Sequence, residues 1–401
     1  MTYRFSKNEQ FDYEIRLALG SAWRQGADVG EVLATVAAAA DADGETWFRA
    51  WSGLADRVRE QAGRSAAEGC TVSAREAYLR AAGYFGTALV AVDACADAEA
   101  RLREVFPRHR DCFDRFLSAW DPPAERVSIP YEGDSLPGYL IGPPGAGGPR
   151  PTLIANNGSD GPLSSVWTLL GAPAVARGYR VLLFDGPGQQ SMLFERGVSF
   201  RPDWEHVITP VVDFLLSRSD VDERRLVLAG VSQAGYWVPR ALAFEHRIAA
   251  AVADPGVVRV VDSWWHNLGP DLRALWESAD RAAFDGIIAQ ALGEDPALAA
   301  IWRWRAKPYG IDSPFDLLSE ISAYDITPVA DRISTPLLIT DPEGEHFWPG
   351  ASQRLYDALP GTRQLIRFTA AEGAHLHCEP MGRALFEQRV FDWLDALLAS
   401  V

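Results

Sequence analysis

The stretch "VLAGVSQAGYW", residues 227–237, decides the fold of this chain. The apolar residues before Gly230 have the pattern of a buried strand, and the residues after Ser232 have the pattern of a helix. The serine lies among small residues, with Ala234 and Gly235 close behind it. It is either the N-cap of a helix or a nucleophile on a sharp strand–turn–helix connection, where close packing leaves room only for small side chains.

Strands and helices alternate on both sides of this stretch. Apolar strands that alternate with helices predict a mostly parallel sheet covered on both faces. The strand candidates are residues 151–157, 180–186, 225–230, 249–256, 336–341 and 364–369. The helical stretches between them are residues 163–177, 203–217, 233–246, 349–359 and 380–399. Two short runs before them, "RVSIPYE" and "GYLIGP", predict a β-hairpin.

The remaining segments predict the domain organisation. Residues 1–122 are helical in pattern, with apolar side chains three and four residues apart in "TWFRAWSGLADRV" and a capping box in "SAREAYLRAAGYF". We therefore predict an N-terminal helical domain over 1–122 and an α/β domain over 123–401. The interval 257–334 is too long for a simple crossover, and it is rich in tryptophan, so it predicts a helical insertion above the sheet.

Composition excludes several classes of function. The 401 residues are 48% hydrophobic, which suffices for one large core plus an accessory domain. A net charge of −16 without a basic block gives no electrostatic basis for binding nucleic acid. The four cysteines have no paired spacing, which is typical of reduced thiols in a cytoplasmic protein. The N-terminus is polar, and the early run "LATVAAAA" is far below the about 20 residues that span a bilayer, so we expect no membrane contact.

A nucleophilic serine needs a base, and the base needs an acid to orient it. The stretch "LLITDPEGEHFWPG" begins as an apolar strand and ends in a loop with three acids, Asp341, Glu343 and Glu345, and the loop "AEGAHLHCEP" carries His375 and His377. Both loops follow strands, in the chain order serine, acid, histidine. The acid normally lies a few residues before the proline that begins the next helix, which favours Glu345, with Asp341 as the alternative. The two histidines point to the same side of an extended loop, so direction alone excludes neither.

Two backbone amides are expected to bind the negative oxygen of the reaction. One belongs to Gln233, directly after the serine, and the other to Ser159 in "ANNGSDG", where Gly158 permits a tight turn. The sequence "HLHC" has no second cluster of ligands, so we expect neither a metal nor a cofactor.

At this point the chain resembles a known family. It is similar to α/β-hydrolases of the group that contains 2,6-dihydroxypseudooxynicotine hydrolase, the fungal yellowish-green pigment hydrolase that shortens polyketides, and the fermentation-respiration switch esterases. The features that carry the resemblance are "SAREAYLRAAGYF", "NNGSDG", "FDGPGQQS", "GVSQAGYW", and the pair "DPEGEHFWPG" and "EGAHLHCEP". The departures are Gln190 and Ala234, each at a position where the family has glycine.

The resemblance has implications for the fold and the site. It implies an N-terminal helical lid over the active site and a homodimer. It implies that the base is the histidine directly before cysteine, His377. The family acid is an aspartate, whereas this chain has Gly344 and Glu345 at the nearest positions, so the acid stays open.

These observations predict a serine hydrolase that acts on a carbonyl compound through an acyl-serine. The bond is C–O, C–N or, as the resemblance suggests, the C–C bond of a polyketide or aromatic β-diketone, with Asp160 and Asp254 as candidate helpers. An aromatic or apolar substrate fits the tryptophans in and around the insertion, Trp264, Trp265, Trp276, Trp302, Trp304 and Trp348. The same motifs also fit an acyltransferase or cyclase of secondary metabolism and, as a third alternative, a non-catalytic binding protein.

Overall fold

A computed structural model describes residues 3–145 and 147–399. The predicted outer ends of the two domains, residues 1–2 and 400–401, lie outside this range. A block of helices precedes the first strand: α1 (Glu9–Ser21), α2 (Val29–Ala39), α3 (Gly44–Ala67), α4 (Thr71–Leu89) and α5 (Ala98–Ser118). The indole of Trp47 is buried and donates to the carbonyl of Thr87 at 2.9 Å, which joins α3 to α4. None of the helices in the described ranges is both long and apolar enough to cross a membrane.

Within the described residues, one sheet of eight strands has the order β1-β2-β4-β3-β5-β6-β7-β8. The strands are β1 (Glu125–Tyr131), β2 (Asp134–Ile141), β3 (Arg150–Asn156), β4 (Arg180–Phe184), β5 (Val221–Val231), β6 (Ala250–Asp254), β7 (Leu337–Pro342) and β8 (Arg363–Phe368). The β1–β2 hairpin is antiparallel, as is its pairing with β4, and all later pairs are parallel. The predicted mostly parallel sheet is confirmed.

Helices cover both faces of the sheet, because alternate residues of its central strands point to opposite sides. On β3, Leu153 belongs to one apolar core and Ile154 to the other, and both are fully buried. The core on the Leu153 side also holds the N-terminal helical block. The covering helices are α6 (Leu163–Val166) and α7 (Ala172–Ala176), joined by a π-helical turn, then α8 (Gln190–Phe194), α9 (Glu205–Leu216), α10 (Ala234–Leu242), α15 (Ala351–Ala358) and α16 (Arg383–Leu398).

Four further helices lie between β6 and β7 in the described chain. They are α11 (Asp262–Glu277), which is broken at Gly269, α12 (Arg281–Glu294), α13 (Pro296–Ala306) and α14 (Pro314–Ile321). The end of α13 contacts the N-terminal block. Arg303 donates to the carbonyl of Asp93 at 2.8 Å, and the Lys307 ammonium lies 2.6 Å from the buried Asp93 carboxylate. The helical insertion between β6 and β7 is therefore tied to the N-terminal helical block.

Candidate active site

Ser232 lies on the turn between β5 and α10. Its φ of 57° is in the left-handed region, which is strained for a residue with a side chain, and its amide donates to the carbonyl of Asp254 at 2.6 Å. The tightest packing occurs at Gly235, where an added Cβ would lie 1.8 Å from the carbonyl oxygen of Pro255. The closest approach to the neighbouring strand therefore falls on Gly235, which explains why the turn accepts Ala234.

A hydrogen-bonded chain joins Ser232 to a histidine and an acid. The Nε2 of His377 lies 2.9 Å from the Oγ of Ser232, and its Nδ1 lies 2.7 Å from Oε2 of Glu345. The other carboxylate oxygen of Glu345 accepts hydrogen bonds from the amides of Phe347 at 2.8 Å and Trp348 at 3.1 Å. The His377 side chain is 2% exposed and that of Glu345 is 5% exposed, so both are held in fixed positions.

The carboxyl of Glu345 stays ionised in this buried position. Burial alone would raise its pKa, but the neighbouring imidazole of His377 and the hydrogen bonds from His377, Trp348 and Phe347 outweigh that effect. The pKa of Glu345 is therefore below its usual value. An ionised acceptor at Nδ1 favours the tautomer of His377 whose Nε2 is free to accept the serine proton.

The other candidate acids and the other histidine lie elsewhere. Asp341 forms an ion pair with Arg367 at 3.2 Å, and Glu343 accepts a hydrogen bond from the amide of Ala370 at 2.8 Å. The Nδ1 of His375 is buried and has no hydrogen-bond partner in the described part of the chain. The structure therefore brings Glu345 and His377 to Ser232, and it leaves Asp341, Glu343 and His375 outside this chain of hydrogen bonds.

The loop after β3 packs directly against the serine. An added Cβ on Gly158 would lie 2.9 Å from the Cβ of Ser232, so this position has no room for a side chain. The buried amide group of Gln189 donates to the carbonyls of Asn157 at 2.8 Å and Gly158 at 2.9 Å. Because the C=O and N–H of a trans peptide point in opposite directions, the N–H of Ser159 points away from Gln189.

The two amides predicted to bind an oxyanion are both free. Among residues 3–145 and 147–399, the amides of Ser159 and Gln233 donate to no backbone or side-chain acceptor. By contrast, the neighbouring amide of Gly158 is used, because it donates to the side chain of Asn157 at 2.8 Å. Free N–H groups beside a serine can stabilise a developing negative charge.

The family resemblance implied a helical lid over the site, but the residue pattern did not indicate that helix α1 would contact it. The hydroxyl of Tyr13 donates to the backbone carbonyl of His377 at 3.0 Å. The next residue, Glu14, has its pKa raised to about 8 by burial and by the nearby carboxylate of Asp160. Asp160, on the loop after β3, accepts a hydrogen bond at 3.0 Å from the indole of Trp304 on α13. Both helical segments therefore contribute to the surroundings of Ser232.

Of the other residues that the sequence singled out, some are buried in the core and some are partly exposed. Asp254 is buried behind the turn and accepts a hydrogen bond from the hydroxyl of Thr340 at 2.6 Å. Trp348 is 5% exposed and donates to the carbonyl of Val260 at 3.1 Å, so it holds the insertion to the sheet. Trp264 and Trp302 are only partly buried, and their rings meet edge to face with centroids 5.2 Å apart.

Comparison with known proteins agrees with this architecture. No family model matches the chain. Three curated fungal proteins align along nearly its whole length. They are the alpha/beta hydrolase xenA of Xenoacremonium sinensis (30% identity; 98% of this chain and 97% of the relative), the alpha/beta hydrolase pydG of an Acremonium species (30%; 98% and 97%) and the 20-hydroxy-prefusarin hydrolase FUS2 of Gibberella moniliformis (28%; 97% and 96%).

Among solved structures, the crystal structure of 2,6-dihydroxy-pseudo-oxynicotine hydrolase superposes with a TM-score of 0.74 at 22% sequence identity, covering 95% of this chain and 96% of that one. The predicted α/β-hydrolase fold is therefore confirmed. The full-length identity of 30% to two named alpha/beta hydrolases extends this agreement from the fold to the family. This chain belongs to the α/β-hydrolase family and is an enzyme of the hydrolase class.

Proposed function

We propose that this enzyme is a serine hydrolase that cleaves carbonyl compounds through a covalent intermediate on Ser232. The observation that carries the proposal is the continuous chain of hydrogen bonds, 2.9 Å and 2.7 Å long, from Ser232 through His377 to Glu345. A serine hydroxyl is a weak nucleophile, and a base at this distance can remove its proton as it attacks. Glu345 orients the imidazole and stabilises its positive charge.

The first step forms a C–O bond between Ser232 and the substrate carbonyl carbon, while the serine proton moves to His377. The carbonyl oxygen becomes an oxyanion, and the amides of Gln233 and Ser159, which have no other acceptor among the described residues, donate to it. One such donor typically stabilises the transition state by about 3 kcal/mol.

In the second step the tetrahedral intermediate collapses, and the bond to the leaving group breaks. The leaving group takes the proton from His377, as an alcohol in ester hydrolysis or as an enolate carbon in the cleavage of a β-diketone. Water then attacks the acyl-serine with His377 as base, which releases the acid and restores Ser232. The C–C reaction is supported by the resemblance of the site motifs, and an aromatic or apolar substrate is supported by the partly exposed rings of Trp264 and Trp302.

The proposal can be tested on purified enzyme with simple aryl esters, aryl amides and aromatic β-diketones. We expect Ser232→Ala to lose turnover by several orders of magnitude, and a fluorophosphonate probe to label the wild type but not this variant. Ser159→Ala is the matched control, because it removes a hydroxyl next to the site and keeps the backbone amide. Full turnover by Ser232→Ala, or no labelling of folded wild-type enzyme, would contradict the proposal.

A further inference from the structure

A single arginine from the insertion lies next to the proposed base. Arg305 is at the end of α13, and its guanidinium carbon is 5.1 Å from the ring centroid of Phe347. The ring of Phe347 in turn packs edge to face on the imidazole of His377, with 4.7 Å between centroids. The guanidinium is therefore separated from His377 by one aromatic ring.

This guanidinium has no anionic partner. Within the described ranges, no carboxylate lies within 4.0 Å of Arg305, and its five N–H groups donate no hydrogen bond. Its neighbours on the same helix end behave differently, because Arg303 donates to the carbonyl of Asp93 and Lys307 pairs with the Asp93 carboxylate. Arg305 makes a cation–π contact with Phe347, which leaves its N–H donors free.

The surroundings of Arg305 point to the wall of a cleft. Arg305 is exposed, yet burial lowers the pKa of its guanidinium, and the carboxylate of Asp160 only partly opposes this effect. Accessible surface on a group surrounded by protein is expected for the wall of a cleft. Asp160 belongs to the loop that packs on Ser232, and Trp304, the residue before Arg305, donates to it at 3.0 Å. The cleft is therefore the one above the proposed nucleophile.

The other acid near this cleft does not neutralise the arginine. The pKa of Glu14 is raised to about 8 by burial and by Asp160, so its carboxyl is mostly uncharged at pH 7. A guanidinium whose five N–H groups have no partner can donate to a bound anion. Its planar, forked donors match the two oxygens of a carboxylate.

We propose that Arg305 binds a carboxylate group of the substrate, so that the enzyme selects anionic aromatic carbonyl compounds. This inference rests on the proposed hydrolysis at Ser232, which defines the carbonyl that must lie beside His377. Arg305 is then a specificity-determining residue that positions the substrate by its charged end, and Phe347 lies between that end and the reacting carbonyl.

Binding of product-like probes tests the inference without turnover. By calorimetry at pH 7, 2-naphthoate and benzoate are compared with their uncharged amides, on wild-type enzyme and on Ser232→Ala. We expect each acid to bind about 10- to 100-fold more tightly than its amide, the range typical of a hydrogen bond to a charged group. Arg305→Gln should abolish this preference, and Arg305→Lys should keep part of it, because the charge stays while the fork is lost.

Arg303→Gln is the matched control, since it removes the same charge two residues away and should leave the preference intact. Equal binding of acid and amide to the wild type, no detectable binding of either acid, or an undiminished preference in Arg305→Gln would overturn the inference. Failure of the proposed function has a different signature, because it appears as missing fluorophosphonate labelling or as turnover by Ser232→Ala, whatever the binding experiments give.

Discussion

Replacing Glu345 by glutamine should disable the enzyme while leaving its shape intact. One oxygen of the carboxylate, Oε1, accepts hydrogen bonds from the amides of Phe347 at 2.8 Å and Trp348 at 3.1 Å. In Glu345→Gln the carbonyl oxygen of the new side chain takes this position, because only an oxygen can accept from both amides. The new NH₂ group therefore takes the place of Oε2, 2.7 Å from the Nδ1 of His377.

An NH₂ group in that position donates to Nδ1, so the imidazole proton must move to Nε2. Nε2 can then no longer accept the proton of Ser232, which lies 2.9 Å away. The wrong tautomer in an otherwise intact serine–histidine–acid site costs about 10⁴-fold in kcat. We expect a loss of about 10³- to 10⁴-fold here with KM changed little, since no group that contacts substrate is removed.

The assay is steady-state hydrolysis of an aryl ester, with thermal unfolding recorded in parallel to show that the variant is folded. Asp341→Asn is the matched control: this residue lies at the end of β7, a few residues before Glu345, but it pairs with Arg367, and the variant should lose less than about threefold in kcat. If Glu345→Gln kept a tenth or more of the wild-type kcat, or if Asp341→Asn were the variant that lost activity, the assignment of the acid would be wrong.

Three further changes probe the surroundings of the serine. In the wild type the Gln189 amide group donates to two backbone carbonyls of the loop after β3. Gln189→Glu replaces these donors by carboxylate oxygens that repel the carbonyls, so kcat should fall about 100-fold; an unchanged kcat would show that the loop does not depend on this side chain. Gly158→Ala puts a methyl group 2.9 Å from the Cβ of Ser232, and we expect about 10²- to 10³-fold slower hydrolysis and equally slower fluorophosphonate labelling. Burial and Asp160 raise the pKa of Glu14 from 4.5 to about 8, so the folded state holds an extra proton between these values and stability falls as pH rises through them. Urea unfolding should therefore show Glu14→Gln more stable than wild type at pH 9 by on the order of 1 kcal/mol or more, with the gain absent at pH 4.

The sequence predicted the buried parts of the fold well, because burial produces the apolar pattern. The central strand was predicted over 225–230, and the structure extends it to Val221–Val231. The additional residues include Asp222, whose partly exposed carboxylate forms an ion pair with Arg225. A strand end that leaves the core carries no apolar signal, so its start could not be read from hydrophobicity.

The site was predictable only as far as local turns define it. Ser232 follows from a short motif at a strand end, and the choice of His377 over His375 came from the family resemblance. The acid that orients the histidine could not be chosen from the sequence, because three carboxylates lie close together after the strand and spacing alone does not determine which of them turns inward. The structure makes that choice through the amides of Phe347 and Trp348, which hold one oxygen of Glu345. Such hydrogen bonds depend on the path of the backbone, which no residue pattern specifies.

The groups that lie around His377 come from segments almost three hundred residues apart. Tyr13 contacts the backbone of His377, and Arg305 stacks on the ring that packs against the same imidazole. Lys307, directly after α13, pairs with Asp93 between α4 and α5, which ties the insertion to the N-terminal helical block. Because these side chains lie outside the sheet, we expect that they can change which compound is bound while the turn at Ser232 stays the same. On the proposed function, the hydrogen-bonded chain would set the chemistry, and residues of α1, α13 and the loop after β3 would set the choice of substrate.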